Sequence, residues 1–151
     1  MVFIMNKKFE CEIRVPYAHI DKMGFVYYAN YLIYFEMARA KMLREAGLPY
    51  AILEEKGVML PVVKSVCEYR KPAFYDDLLV VLTNCVKPDG TRLRIEYEIV
   101  RRARGNDKTE ITSGMNEVIA TGYTEHVCVS NNGRVLRPIP ELMKIFRDEK
   151  I

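Results

Sequence analysis

The chain has 151 residues, half of them hydrophobic and 28% charged, a balance that predicts one folded domain over residues 1–151 and excludes a disordered one. A net charge of +3 tolerates an anionic ligand but is too weak for the basic stripe of a nucleic-acid binder, so no nucleic-acid partner is expected. The four cysteines (Cys11, Cys67, Cys85, Cys128) have neither C-x-x-C pairing nor zinc spacing and read as small buried hydrophobes. They imply no metal site and a reducing, cytoplasmic location. The apolar N-terminal residues, Met1 to Met5, lack a basic n-region. The longest uncharged run, Met23 to Phe35, falls short of the roughly 20 apolar residues that span a bilayer.

In chain order, the first element is a strand over Phe9 to Val15. Phe9, Cys11, Ile13 and Val15 alternate with Glu10, Glu12 and Arg14, and Pro16 ends the run. A helix is predicted from Asn30, a good N-cap, to Ala46, with Gly47 and Pro49 as its stop. Its first turns (Tyr31, Leu32, Ile33, Tyr34, Phe35, Met37, Ala38) are apolar on nearly every side, so the helix must be enclosed.

The remaining chain supplies the enclosure. Val58 to Lys71 reads as one long strand, Leu78 to Lys87 as another, and Pro88-Asp89-Gly90 as a turn. In Arg92 to Arg101, Leu93, Ile95, Tyr97 and Ile99 face one way and Arg92, Arg94, Glu96 and Glu98 the other. A polar turn over Arg104 to Lys108 precedes a last strand, Met115 to Val129, with Gly122 a candidate bulge. Asn131-Asn132-Gly133 closes it, and Pro140 opens a short amphipathic C-terminal helix. Strands joined by hairpin-length connections around one buried helix predict an antiparallel α+β fold.

Chemistry concentrates in the loop before the helix, Tyr17 to Tyr31. It carries Asp21, Gly24 and several aromatic residues into a helix N-terminus, where unpaired N–H groups and a partial positive charge reside. An ionised carboxylate beside amides that polarise a carbonyl is what an acyl-transfer site needs. Read from physics alone, an Asp shortly before a helix is usually a loop or capping residue.

Three motifs carry a resemblance. Asp21-x-x-Gly24-x-Val26-x-Tyr28-x-Asn30-Tyr31, followed by Phe35-Glu36 and Arg39, resembles the signature of the 4-hydroxybenzoyl-CoA thioesterase family. Tyr69-x-x-Pro72-x-x-x-Asp76-x-Leu78 and Arg137-Pro138-x-Pro140 are similar to weaker family features. The resemblance implies a hotdog fold, in which an antiparallel sheet of about five strands wraps one long helix. It implies hydrolysis of an acyl-CoA thioester to the free acid and CoA, with no cofactor beyond the CoA of the substrate. Family members form dimers through their sheets, often assembled into tetramers, with active sites at the subunit interface. By the same resemblance Asp21 is the nucleophile or general base, and the Tyr28 backbone N–H polarises the thioester carbonyl. Some relatives carry His at the Tyr28 position, an imidazole that this chain lacks.

Other residues compete for roles. Another branch of hotdog thioesterases places its carboxylate on the helix, which makes Glu36 a rival base. Pairing of Glu36 with Arg39, three residues on, is the structural alternative. His19 is the one candidate for a hydratase or dehydratase, which needs His beside a carboxylate; a non-catalytic acyl-CoA-binding module is a third reading. His126 is assigned no chemistry, and Asp76-Asp77 reads as a solvated corner. Arg70, Lys71, Lys87 and Arg92 are candidates for the CoA phosphates, while Gly24 shapes the loop and Tyr27 or Tyr28 walls the acyl pocket.

Overall fold

A computed structural model describes residues 9–105 and 117–147. The apolar N-terminal residues, most of the expected turn over Arg104 to Lys108, and Met115 of the last strand lie outside the described residues.

The expected strand, helix and strand series forms in that order. Strand β1 (Phe9–Arg14) is followed by a short 3-10 turn (Tyr17–His19) and the long helix α1 (Asn30–Glu45). Next come a short helix α2 (Tyr50–Glu55), strands β2 (Val58–Met59), β3 (Val62–Tyr69), β4 (Leu78–Asp89), β5 (Arg92–Ala103), β6 (Glu117–Ser130) and β7 (Val135–Leu136), and helix α3 (Pro140–Arg147). The sheet runs β1-β4-β5-β6, every pair antiparallel, with β3 and β2 on the far flank of β6 and β7 continuing from β5 on the near one. Five long strands wrap α1, as the hotdog arrangement requires. Helix α1 packs on β1, β3 and β4, stacks Phe35 on Tyr97 of β5 at 4.3 Å, and brings Phe35 against β6.

Several local readings need correction. The strand expected over Val58 to Lys71 is broken at Leu60-Pro61, because proline offers no N–H to the ladder. The turn expected at Pro88-Asp89-Gly90 falls instead on Gly90-Thr91, with Asp89 paired to Arg92. Asn30 is the first helical residue, not the cap. Ala29 precedes it without a side-chain cap, and Asn30 Nδ2 donates to the His19 carbonyl at 3.2 Å. Gly122 is no bulge; the β5–β6 irregularity lies between Ile99 and Val100. A Cβ at position 122 would fall 2.2 Å from the Val66 carbonyl oxygen and 2.8 Å from the Phe35 ring. Glycine there is what lets α1 press onto the sheet.

Among the described residues, one face of α1 is enclosed and the other is not. Tyr31, Tyr34, Phe35, Ala38, Met42 and Leu43 are buried, each large side chain contributing about 1.5–3 kcal/mol. Leu32, Ile33 and Met37 on the opposite face remain 40%, 48% and 42% exposed. Glu36 shares that outer face, so the expected Glu36–Arg39 pair does not form. Arg39 turns inward instead, donating to the hydroxyls of Tyr50 (2.9 Å) and Tyr97 (3.1 Å).

Arg39 begins a buried relay that ends at His126. Tyr97 OH meets Thr124 Oγ1 at 2.8 Å, Thr124 Oγ1 meets His126 Nε2 at 2.8 Å, and His126 Nδ1 meets the Leu60 carbonyl at 3.1 Å. A carbonyl only accepts, so Nδ1 carries the proton, and neutral Nε2 accepts from Thr124. Burial, aided by the Arg39 charge, pulls the imidazole down from 6.5 to about 4. Between those values the unfolded chain binds the extra proton and the folded chain does not. Stability from this site is therefore full above pH 6.5 and falls on acidification, by roughly 3 kcal/mol at pH 4. Urea unfolding at pH 7, 5.5 and 4 should show this fall in the native chain and a flatter profile in His126→Gln.

Candidate active site

The loop before α1 is held on both sides by backbone hydrogen bonds. Ile20 and Val26 form an antiparallel bridge, Tyr27 N–H donates to the His19 carbonyl at 2.9 Å, and Val26 N–H donates to the Ala73 carbonyl at 2.9 Å. Between them Asp21 makes a tight turn. Its N–H donates to Phe25 O (3.0 Å), its carbonyl accepts from Gly24 N–H (3.0 Å), and its Oδ1 accepts from Met23 N–H (2.9 Å). Gly24 has a φ of +89°, a conformation that a side chain would strain.

Asp21 is half-buried at the wall of a cleft of about 390 Å³. Met23, Phe25, Val26 and Tyr28 of the same loop line it, with Tyr31 of α1, Tyr69 at the end of β3, and Arg70, Lys71 and Pro72 beyond. Among the described residues, the Tyr28 and Ala29 N–H groups have no acceptor, whereas those of Asn30 and Tyr31 already bond to the turn before them. Unsatisfied donors at a helix start concentrate positive potential there. A carboxylate, a residue with a free amide and an aromatic wall thus meet in one cleft.

Of the sequence-predicted site residues, the cleft unites Asp21, Tyr28, Arg70 and Lys71. Gly24 shapes the turn behind Asp21. Tyr27 does not line the cleft; it is 46% exposed and its ring packs 4.7 Å from that of Tyr28. Arg92 sits at the start of β5, paired to Glu125 at 2.7 Å, and the Lys87 side chain lies outside the described residues. Glu36, on the outer face of α1, does not line this cleft of the single chain. His19 does not line it either; its Nδ1 is engaged by Tyr34 OH at 2.8 Å.

Sequence reasoning missed two parts of this site. Tyr69 and Tyr31 form its aromatic wall, with ring centroids 5.3 Å apart. Tyr69 appeared in a motif without a role, and its distance from α1 in the chain hid the contact. The second part is the corner that carries Pro72. Asp77, expected to be solvated, is 2% exposed. It accepts from Arg101 Nη1 at 2.8 Å and from Phe74 N–H at 2.9 Å, while Arg101 also donates to the Pro72 carbonyl at 3.0 Å and to Glu117. Arg101 and Lys71 hold the Glu117 carboxyl below the usual carboxylate range. Among the described residues no helix is long and apolar enough to cross a membrane.

Comparison with known proteins agrees with this geometry. Residues 15–146 match the family model of the thioesterase-like superfamily, a span that includes the cleft and every long element except β1. The chain is 33% identical over 137 residues to a putative acyl-CoA thioesterase, YneP, of Bacillus subtilis, covering 91% of this chain and 88% of that one. It is 30% identical to a solved DHNA-CoA thioesterase of Staphylococcus aureus, with a TM-score of 0.77 over 91% of this chain and 87% of that one. Slr0204 of Synechocystis, a 1,4-dihydroxy-2-naphthoyl-CoA thioesterase, superimposes with a TM-score of 0.80 at 21% identity, over 95% and 98% of the two chains, a likeness of fold alone. With α1, four of the five long strands around it and the loop motif from Asp21 to Tyr31 all inside the matched span, the chain belongs to the thioesterase-like superfamily.

Proposed function

We propose that this protein hydrolyses an acyl-CoA thioester to a free carboxylic acid and CoA, with Asp21 as the carboxylate and the Tyr28 N–H as the oxyanion donor. The observation that carries this reading is one cleft containing both Asp21 and Tyr28, whose N–H has no acceptor among the described residues. The Asp21 carboxylate either takes a proton from water as the water oxygen attacks the thioester carbon, or attacks that carbon itself to give an anhydride that water then opens. Either way the carbonyl oxygen becomes an oxyanion beside the free amide, and collapse breaks the C–S bond. The departing thiolate takes up a proton, so acyl-CoA and water give acid and CoA. The reaction needs no metal or redox cofactor.

Arg70 and Lys71 at the cleft are suited to the CoA phosphates. Their present partners, Glu68 at 2.8 Å and Glu117 at 3.0 Å, are exposed or half-exposed ion pairs that exchange at little cost. We further propose a homodimer. The flank of β3 opposite β6, its exposed Val62 and Val63, and the exposed Leu32, Ile33 and Met37 of α1 are surfaces that a second copy would cover. The four free thiols suit a reducing cytoplasm. The test is release of free thiol from butyryl-, hexanoyl-, decanoyl-, benzoyl- and phenylacetyl-CoA, with the oligomer read by sedimentation on the same sample. Turnover of at least one thioester by a dimer is expected; tight binding with no thiol release across the panel would leave only an acyl-CoA-binding module.

A further inference from the structure

We infer that Tyr69 is a positioning residue of this site: its hydroxyl holds the turn that presents the oxyanion-binding amides, and its ring separately walls the acyl pocket. This rests on the hydrolase reading above. Tyr69 is the last residue of β3, and its hydroxyl donates to the Tyr28 carbonyl at 3.2 Å. That carbonyl belongs to the Tyr28–Ala29 peptide, whose own N–H has no acceptor among the described residues, like the Tyr28 N–H before it. The other support of the carbonyl is a long contact from Tyr31 N–H at 3.3 Å. No side chain among the described residues caps this helix start, and the Tyr69 hydroxyl, by donating to the Tyr28 carbonyl from across the cleft, steadies the turn while its N–H groups stay free. A donor at the carbonyl end of a peptide also polarises its N–H, here that of Ala29, next to the Tyr28 amide.

The ring has a separate task. It lines the cleft and stands edge-on to Tyr28 (6.3 Å) and Tyr31 (5.3 Å), so it braces the aromatic wall of the cleft that Asp21 also lines. Partial desolvation pushes the phenol up to about 12, which keeps it a neutral donor across the working pH range.

The two tasks separate kinetically. In Tyr69→Phe the ring stays and the hydroxyl goes, so kcat should fall about fivefold to tenfold with KM within twofold of native, on the fastest member of the acyl-CoA panel. In Tyr69→Leu the ring goes too, so KM should rise in addition. Thermal melts within a few degrees of native are expected for Tyr69→Phe, because the site is half-exposed. Native kcat in Tyr69→Phe, measured beside an Asp21→Asn variant that has lost activity, would overturn the positioning role and leave the hydrolase reading standing. A change confined to KM would also overturn it. Full activity in Asp21→Asn would remove the reading itself, and the role of Tyr69 with it.

Discussion

Asp21→Asn is expected to fold as the native chain does and to lose about 10²–10⁴ in kcat, equivalent to roughly 3–5 kcal/mol of barrier. The fold should tolerate it because the asparagine carbonyl can still accept the Met23 N–H that organises the turn. What disappears is the negative charge and the basicity, which an amide does not supply. Glu36→Gln is the companion variant. Glu36 faces solvent on the outer side of α1 and does not line the cleft, so near-native turnover is expected. Thiol release at saturating acyl-CoA reads both variants. A collapse in Glu36→Gln with survival of Asp21→Asn would move the chemistry to the helix.

The second large effect is on stability. Arg101 and Asp77 are each 2% exposed and bonded to one another at 2.8 Å. Removing Arg101 leaves the Asp77 carboxylate buried without its cation, a situation that costs about 3–5 kcal/mol. Arg101→Ala also strips the Pro72 carbonyl and Glu117 of a donor. Asp77→Ala takes the acceptor from the Phe74 N–H and leaves Arg101 with Glu117 as its remaining carboxylate. Asp77→Asn keeps an acceptor for that N–H and should cost less than Asp77→Ala. Because the pair anchors the corner that carries Pro72 into the cleft, turnover should fall along with the urea midpoint. A loss under about 1 kcal/mol for both alanine variants would mean that other contacts hold the corner.

Both sites also mark what a reader of the chain can and cannot see. The alternation of Leu93, Ile95, Tyr97 and Ile99 appears in the structure as read, all four buried in the core that also holds α1. The helix is also where expected, within a residue at each end. Short elements were harder. Pro49, read as a stop for α1, also serves as the N-cap of α2, a six-residue helix too short to show a period. Pro88 suggested a turn, yet β4 carries it through a register shift between Val86 and Asp89 and turns after that. Glu36 and Arg39 have the spacing of a helix pair, but the fold turns one to water and the other to Tyr50 and Tyr97.

By itself the sequence determined the period of each long element, the loop that brings Asp21 to a helix start, and the family likeness of that loop. Those features depend on residues close together in the chain, where spacing translates directly into geometry. Only the tertiary structure decided which face of α1 is covered, that Tyr69 reaches the Tyr28 carbonyl, and that Asp77 is buried against Arg101. These contacts join residues far apart in sequence, and a hydroxyl or carboxylate has the same local signature whether it meets solvent or a partner. Burial and partner are properties of the packed sheet and helix, set by which strands neighbour one another, and no local pattern encodes them.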